Sequence, residues 1–564
     1  MLKFKKLIQK FKKEPKDTVT LTPKIDTIVS LISVFVFILI GVPIWYYTTS
    51  VYRAPLNSES IKKLNDDFVI QFPVFLEIDL TQLSNNDRVL MNNNFNEKIK
   101  KVSEYTKIKP ATGRPGMTFS PRIVVYDPDT PNNPKHHVHD TIKIKFTIND
   151  SSNIIKVTTN SLGLITTDFP SSSMEIAATK TADLIKNILS YEIKKLKQSV
   201  FARNKQKNKW GQLLTLEYSH QYLINLSLIK EGYSDRAFDW DIESAIRDYL
   251  NPFLNKLKSA SSFKITSQIQ NAVKLEIPVV NNNGSFSIQT KNIPNFVNSA
   301  EWNFASTEPT VPSIQLVVFI PKKSTSPLFL SNSDGKNSET NSFLLPQWGG
   351  IYVYNPDYNK YEKNTSDLNV KLSKDDLKPV FEVFVTQLRK LVGLGDYSLE
   401  SSISLDNQDS ELKLDLNFAD MGTGISFWDI RFLETKYSIS NIVQSIDLLL
   451  SLDKLTSSME SIVILDKIKF FVDESLANLE ALRIAHVDNS QPSNILLVSA
   501  LAKKLASEAF FDPSMVSMLY FPTEHKYAIY LPYFFPAIIP VLVCAIGIYK
   551  EYKKTKNNAK LKTQ

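Results

Sequence analysis

The histidine-rich segment "KHHVHD" holds side chains that could bind a metal. Three of the six histidines of the chain, His136, His137 and His139, lie there next to Asp140. Clustered imidazoles can bind zinc, but a closed zinc site needs four ligands, and no complementary ligand motif occurs elsewhere. Because a Pro- and Asn-rich stretch precedes the segment, we interpret it as a solvated loop and predict no metal site.

Two aspartate pairs resemble the metal-binding acids of many glycosyltransferases. They are Asp127 with Asp129 in "DPD" and Asp239 with Asp241 in "DWD". Patterns this short occur often by chance. The first pair lies in a predicted turn, and the second lies where acidic residues favour the start of a helix. An independent lumenal metal-dependent glycosyltransferase is therefore an alternative function for the chain.

Other catalytic signatures are missing from the sequence. The chain has one cysteine, Cys544, which lies in an apolar segment near the end. No intramolecular disulfide can therefore form, and the body of the chain contains no thiol nucleophile. The sequence also lacks a phosphate-binding glycine loop, a nucleophile elbow and a His-Glu-x-x-His motif. We predict no catalytic residues and no cofactor, which favours a binding or scaffolding role.

The positive charge of the chain is confined to its two ends. The net charge is +8, but residues 1–26 and 550–564 together hold 14 of the 66 Lys and Arg residues and only 4 of the 58 acidic residues. The remaining chain therefore carries a net charge of −2. It has no excess of positive charge to neutralise phosphates, so we exclude nucleic acid as a partner.

Two uncharged apolar segments predict membrane spans. Residues 28–47 form a segment of 20 residues, and residues 527–549 a segment of 23 residues. As helices they would reach about 30 Å and about 34 Å, enough to cross a bilayer. A cleaved signal peptide is the alternative for the first segment, but its apolar region is too long and no good cleavage site follows. The Lys-rich flanks place both ends in the cytosol and residues 48–526 on the other side.

The second span contains three prolines, Pro532, Pro536 and Pro540, at i, i+4 and i+8. In a helix they would lie along nearly one face, where each removes a backbone hydrogen bond. Lipid supplies no replacement donor, whereas a neighbouring helix or side chain can. We therefore predict that this face is bent and docks against protein.

Short address motifs favour the endoplasmic reticulum. Four Asn residues between the two spans match the N-glycosylation pattern: Asn149, Asn225, Asn283 and Asn364. Lys560 and Lys562 near the end resemble a dilysine retrieval signal. These patterns predict a lumenal, glycosylated body.

The body alternates strand-like and helix-like segments and becomes almost wholly helical from residue 427. Its "QWGGIYVYN" segment places Trp348 before Gly349 and Gly350, either as a contact platform for a partner or as a structural hairpin. We predict a membrane-anchored α+β (mixed α/β) protein. Its parts are a cytosolic tail at 1–27, a first span at 28–47, a lumenal mixed α/β body at 48–426, a lumenal helical subregion at 427–526, a second span at 527–549 and a cytosolic tail at 550–564.

Several longer stretches resemble one known family. They are "GVPIWYYTTSVYRAPL", "VPSIQLVVFIP", "LPQWGGIYVYN" and "EAFFDPSMVSMLYFPTEHKYAIYLPYFFPAIIPVL", in this order from the first span to the last. Together they resemble the S subunit of the glycosylphosphatidylinositol (GPI) transamidase, the phosphatidylinositol-glycan class S family, in a fungal member.

The resemblance implies a non-catalytic structural subunit of an endoplasmic-reticulum complex. That complex attaches GPI anchors to the C-termini of precursor proteins, and its Cys/His dyad lies in a different, caspase-like subunit. The implied partners are the other subunits and, through the complex, the GPI lipid and precursor proteins. An assembly or chain-length regulator with two terminal spans is a further alternative.

Overall fold

The computed structural model describes most of the body of the chain. The described ranges are 52–66, 68–105, 117–126, 141–151, 154–201, 215–232, 237–275, 277–282, 285–296, 311–331, 336–358, 369–394, 412–459, 462–484 and 495–517, with single positions or short runs within 29–47 and 528–553. Within this part of the chain, no helix is both long enough and apolar enough to span a membrane.

The chain divides into two compact units. A terminal unit consists of Met1–Leu56, Ser451–Val472 and Glu508–Gln564, and a central unit consists of Asn57–Leu450 and Asp473–Ser507. The strands of the central unit are β1 Phe68–Asp79, β2 Met117–Tyr126, β3 Thr141–Ile148, β4 Ile155–Thr159, β5 Leu164–Phe169, β6 Gln221–Glu231, β7 Ala237–Trp240, β8 Ser262–Val273, β9 Val280–Asn282, β10 Ser285–Gln289, β11 Ser313–Ile320, β12 Leu328–Ser331, β13 Ser342–Leu345, β14 Gly349–Val353, β15 Asn369–Leu372 and β16 Leu412–Leu416.

The α-helices with described bounds alternate with the strands as far as β16, and only helices follow β16 in the part of the chain that the structure describes. They are α1 Ser58–Asp66, α2 Asn85–Tyr105, α3 Met174–Leu196, α4 Ile242–Ala245, α5 Asn251–Lys256, α6 Lys374–Val392, α7 Phe427–Ser458, α8 Asp466–Ile484, α9 Ile495–Phe510 and α10 Pro513–Ser517. The mixed α/β class predicted for the body is thus confirmed.

A six-stranded sheet in the order β16-β4-β5-β3-β1-β2 forms the first half of the central unit. Strands β1 and β2 are parallel and are joined through α2, as a parallel pair requires a crossover. Buried side chains of α2 and α3, among them Phe95 and Ile185, share one hydrophobic core with the sheet. The spaced apolar residues of α2 therefore explain why it covers this sheet.

A five-stranded sheet in the order β13-β14-β11-β6-β8 forms the second half. Its central strands β6 and β11 are buried almost throughout, as expected for parallel strands covered on both faces. One face shares a core with the small sheet β12-β10-β9. Helix α6 packs near β14.

Local sequence signals set the ends of α6. The Ser373 hydroxyl accepts a hydrogen bond from the Asp376 backbone N–H, and the Asp376 carboxylate accepts one from the Ser373 backbone N–H. This capping box satisfies two helix-terminal donors. At the other end, Gly393 adopts a left-handed conformation with φ 89°. Asp375 and Asp376 lie in the first turn, where negative charge interacts favourably with the helix dipole.

Pro252 does not end the helical path on which it lies. A π-helical turn, Ile246–Leu250, connects α4 to α5, and Pro252 occupies the first turn of α5. A proline in the first turn removes an N–H that has no intrahelical partner there. The helical path therefore continues through residue 252.

Candidate functional site

Many residues singled out by the sequence lie outside the described residues. These are His136, His137, His139, Asp127, Asp129, Asn283, Asn364, Pro540, Cys544, Lys560 and Lys562. The second acidic pair is described: Asp239 is exposed on β7, and Asp241 occupies the N-cap position of α4. Within the described ranges, no group of three or more His, Cys, Asp or Glu side chains is arranged to hold a metal ion.

Trp348 ends the tight turn between the antiparallel strands β13 and β14. Its backbone N–H donates to the Leu345 carbonyl at 3.2 Å, and its carbonyl accepts from the Gln315 N–H at 2.9 Å. The indole is half-buried against the core between the five-stranded sheet and the small sheet. The turn is therefore joined to the neighbouring strand β11 as well as to its own hairpin.

The two glycines after Trp348 are required by close packing. Gly349 has φ +152°, and a Cβ there would overlap the Gln315 carbonyl group. At Gly350 a Cβ would overlap the side-chain amide of Gln387 on α6. A larger residue at 349 would push β14 away from β11, and one at 350 would displace the side-chain amide of Gln387. Close packing against Gln315 and Gln387 therefore explains why both positions are glycine.

A polar row crosses the sheet beside this turn. Gln315 of β11 is paired in register with Gly349 on one side and with Asn225 of β6 on the other. Asn225 is 2% exposed, and its side-chain oxygen accepts from the Thr266 hydroxyl of β8. Among the described residues, Asn225 Nδ2 and Gln315 Oε1 have no hydrogen-bond partner. A buried amide group without a hydrogen-bond partner lowers the stability of the folded protein. The spacing of apolar residues in the sequence did not predict that these two amides are buried.

The burial of Asn225 also overturns its prediction as a glycosylation site. A glycan cannot occupy a side chain enclosed in the middle of a sheet. Asn149, in contrast, is exposed directly after β3 and accepts a hydrogen bond from the Ser151 N–H at 3.1 Å. Of the two sequons that the structure describes, only Asn149 has the required exposure.

The first half of α7 contacts both halves of the central unit. Asp429 forms an ion pair with Arg389 of α6, with 2.8 Å between Oδ2 and Nη1, and both side chains are largely buried. The Trp428 indole N–H donates to the Asn160 carbonyl at 2.9 Å, next to β4 of the other sheet. Helix α7 is therefore a strut between the two sheets.

A second ion pair and a buried lysine also connect α7 to its neighbours. Arg431 Nη2 lies 2.6 Å from Glu192 Oε2 on α3. Burial raises the pKa of the Glu192 carboxyl. Lys436 donates from Nζ to the Val392 carbonyl at 3.2 Å, at the C-terminal end of α6. Burial lowers the pKa of this amine to about 8. Sequence reasoning missed these residues because their partners lie far away along the chain.

Apolar side chains are exposed in the two terminal segments. Val29, Phe35 and Leu39 have helical backbone and are 58%, 65% and 58% exposed. In the later segment, Pro532 and Pro536 are likewise helical and exposed. Exposed apolar residues at this density mark a surface that contacts something other than water.

Comparison with known proteins gives matches along nearly the whole chain. The family model for the phosphatidylinositol-glycan biosynthesis class S protein matches residues 32–555. The "GPI transamidase component PIG-S homolog" of Schizosaccharomyces pombe is 29% identical over 539 residues, which cover 94% of this chain and 85% of that protein. "GPI transamidase component GPI17" of Saccharomyces cerevisiae is 24% identical over 559 residues, covering 93% and 92%.

Mammalian relatives match over a shorter part. The human "GPI-anchor transamidase component PIGS" is 32% identical over 347 residues, which cover 60% of this chain and 59% of that protein. The chain thus matches about three fifths, 59%, of the length of the human relative. The match over residues 32–555 nevertheless includes most of both apolar terminal segments and the whole body between them. The chain belongs to the phosphatidylinositol-glycan biosynthesis class S protein family.

Proposed function

We propose that this chain is a non-catalytic scaffold subunit of the GPI transamidase complex in the endoplasmic reticulum. The observation that carries the proposal is the family match over residues 32–555. Relatives from two yeasts are named as GPI transamidase components and align with more than nine tenths of the chain, 94% and 93%. In this role the chain assists the attachment of GPI anchors to the C-termini of precursor proteins.

The chemistry of anchor attachment belongs, in this proposal, to a caspase-like cysteine-protease subunit. The only cysteine of this chain, Cys544, lies in the second apolar segment. A thiol there is far from any aqueous catalytic centre if the segment spans the bilayer. The proposed chain therefore positions other subunits, the GPI lipid and the precursor protein without forming bonds itself.

Two membrane anchors complete the proposal. Residues 28–47 and 527–549 are uncharged and flanked on their outer sides by Lys-rich tails. The described positions within them include exposed apolar side chains on helical backbone, such as Phe35 and Val543. Lys-rich flanks favour the cytosolic side, so both termini are cytosolic and the body is lumenal. The face carrying Pro532, Pro536 and Pro540 docks against another subunit.

The body offers features suited to a scaffold. The strut helix α7 forms buried ion pairs with α6 and α3, namely Asp429–Arg389 and Arg431–Glu192. Breaking such pairs one side at a time is costly, because it leaves a buried charge. The two sheets are therefore held as one support, and in this proposal a partner subunit contacts the turn that carries the half-buried Trp348.

The test is purification of the tagged full-length chain from native membranes in a mild detergent. We expect a cysteine-protease-like subunit and multispanning subunits in stoichiometric amounts, identified by mass spectrometry. A tagged two-span membrane protein of the same compartment controls for carry-over. Recovery of the chain as a monodisperse monomer would overturn the proposal, and recovery of a homo-oligomeric ring would support the assembly regulator instead.

The glycosyltransferase alternative has a separate test. Family membership does not favour it, and the Asp239–Asp241 pair is divided between the end of a strand and the start of a helix. Changing Asp127, Asp129, Asp239 and Asp241 to Asn should leave GPI attachment unchanged at normal expression. Loss of attachment with intact assembly would show that these carboxylates do chemistry.

A further inference from the structure

Four large side chains in the terminal unit are exposed although they are apolar or aromatic. Tyr52, Leu465, Phe470 and Phe511 are 57%, 39%, 58% and 64% exposed. They come from three separate chain segments of this unit. We call these four residues the aromatic patch.

The contacts around Tyr52 and Leu465 bring the first two segments together. The Ile464 N–H donates to the Tyr52 carbonyl at 3.2 Å, and the Ala54 N–H donates to the Ile464 carbonyl at 2.9 Å. The Tyr52 hydroxyl donates to Asp466 Oδ1 at 2.8 Å. Tyr52 therefore lies beside the first turn of α8.

The third segment joins at the same turn. Lys467 Nζ lies 3.3 Å from Asp512 Oδ2, which fixes the neighbouring Phe511 near the start of α8. Phe470 follows Lys467 by three residues, so the two share a helix face. The three chain segments that carry the patch therefore meet at the first turns of α8.

The chain connects this region closely to the proposed anchors. Tyr52 follows Tyr47, the end of the first apolar segment, by five residues, and five extended residues span at most about 18 Å. Phe511 precedes the second apolar segment at Tyr527 by 16 residues. Through Tyr52, the patch therefore lies within about 18 Å of the end of the first proposed anchor.

We propose that the aromatic patch inserts into the interfacial layer of the bilayer on the lumenal side. The proposal rests on the proposed membrane anchoring. Aromatic rings with polar edges prefer the headgroup level, where the apolar part leaves water and the hydroxyl stays hydrated. Lys467, whose side chain is 63% exposed and is paired with Asp512, lies at the polar edge of the patch. The occupant of the patch is lipid, and the patch fixes how the terminal unit rests on the membrane.

Spin labels read out the depth of single residues. Because Cys544 is the only cysteine, a Cys544→Ala background accepts one label at a time. Phe470→Cys and Phe511→Cys place labels on the patch, both at exposed positions where substitution removes little packing. Met421→Cys, at a residue 91% exposed in the central unit, is the aqueous control, and Val543→Cys, at a residue 64% exposed in the second apolar segment, is the lipid control. The full chain is reconstituted alone into phosphatidylcholine nanodiscs.

For each spin label, two collision rates are measured and compared. One is the rate with oxygen, which concentrates in lipid, and the other is the rate with a nickel chelate, which stays in water. We expect chelate collision at positions 470 and 511 several-fold below that at 421, with oxygen collision between the values at 421 and 543. Labels that behave like the one at 421 would overturn the proposal, as would labels shielded from both reagents, which would indicate protein contact. A water-like label at 543 would instead overturn the anchoring, so the two failures are distinguishable.

Discussion

Changing Gly350 to alanine should destabilise the central unit, and changing Gln387 to alanine at the same time should cost less than the two single changes added together. Gly350 faces the buried side-chain amide of Gln387 on α6. The added Cβ would lie 2.5 Å from Gln387 Cδ, whereas ordinary van der Waals contact begins at 3.4 Å. The amide carbon must therefore retreat by at least about 0.9 Å, the difference between these two distances, and the amide oxygen, which lies nearer still to the added Cβ, must move further.

The energetic cost follows from the contacts of Gln387. Its Nε2 donates to the Phe343 carbonyl of β13 at 3.1 Å, and a retreat of this size breaks that bond. Overpacking costs about 1–3 kcal/mol, and the lost hydrogen bond adds about 1 kcal/mol. We expect Gly350→Ala to lower the free energy of unfolding by about 2–4 kcal/mol.

The double variant Gly350→Ala/Gln387→Ala tests the mechanism. Removing the amide removes the overlap, so the double variant should be less destabilised than the sum of the single variants by about 1–3 kcal/mol. Gly349→Ala is the matched control, because its Cβ would meet the backbone of Gln315, which no change at 387 can remove. The assay is urea unfolding of the purified full-length chain in detergent, followed by tryptophan fluorescence, with the midpoint and slope compared between variants.

Additivity at position 350 would refute the reasoning. It would mean that α6 and β14 move apart as a whole when Gly350 is enlarged. Equal rescue at positions 349 and 350 would refute it as well, because the two glycines face different neighbours. A slope that changes with the variant would show that more than the local contact is altered.

Three further predictions concern charge, glycosylation and the second apolar segment. Burial lowers the pKa of Lys436 from 10.5 to about 8, so its contribution to stability is present above pH 10.5 and is lost as the pH falls to 8. The loss in unfolding free energy is about 3 kcal/mol at 1.36 kcal/mol per pH unit. The difference in unfolding free energy between the wild type and Lys436→Met should therefore change by this amount between pH 10.5 and pH 8. A difference that stays constant over this range would contradict the prediction. Asn149→Gln should remove one glycan in a gel-shift assay with endoglycosidase, whereas Asn225→Gln should remove none, and a mass loss at 225 would contradict the buried position. Replacing the three prolines of the second apolar segment by leucine should leave membrane insertion intact, measured by alkaline extraction, but should weaken co-purification of partner subunits; unchanged co-purification would remove the docking role of that face.

The alternation of elements and the ends of helices could be predicted from the sequence. The mixed α/β class of the body was predicted from the alternation of strand-like and helix-like segments, and the observed strands and helices confirm it. Such signals lie within a few residues of the element that they specify, because capping and amphipathic periodicity are local. Family membership was also visible, since long ordered segments carried the resemblance and the family match confirms it.

The roles of individual polar residues were decided by tertiary contacts. Asn225 and Asn149 belong to the same kind of sequence pattern. Asn225 is buried because its strand lies inside a sheet, where it is paired with Thr266, which is 41 residues away along the chain. Likewise, Arg431 meets Glu192 across 239 positions of the chain. Charge, composition and periodicity describe what each segment can do by itself. Which segment covers which depends on contacts between residues far apart along the chain, and those contacts determine burial, pKa and the space available at each glycine.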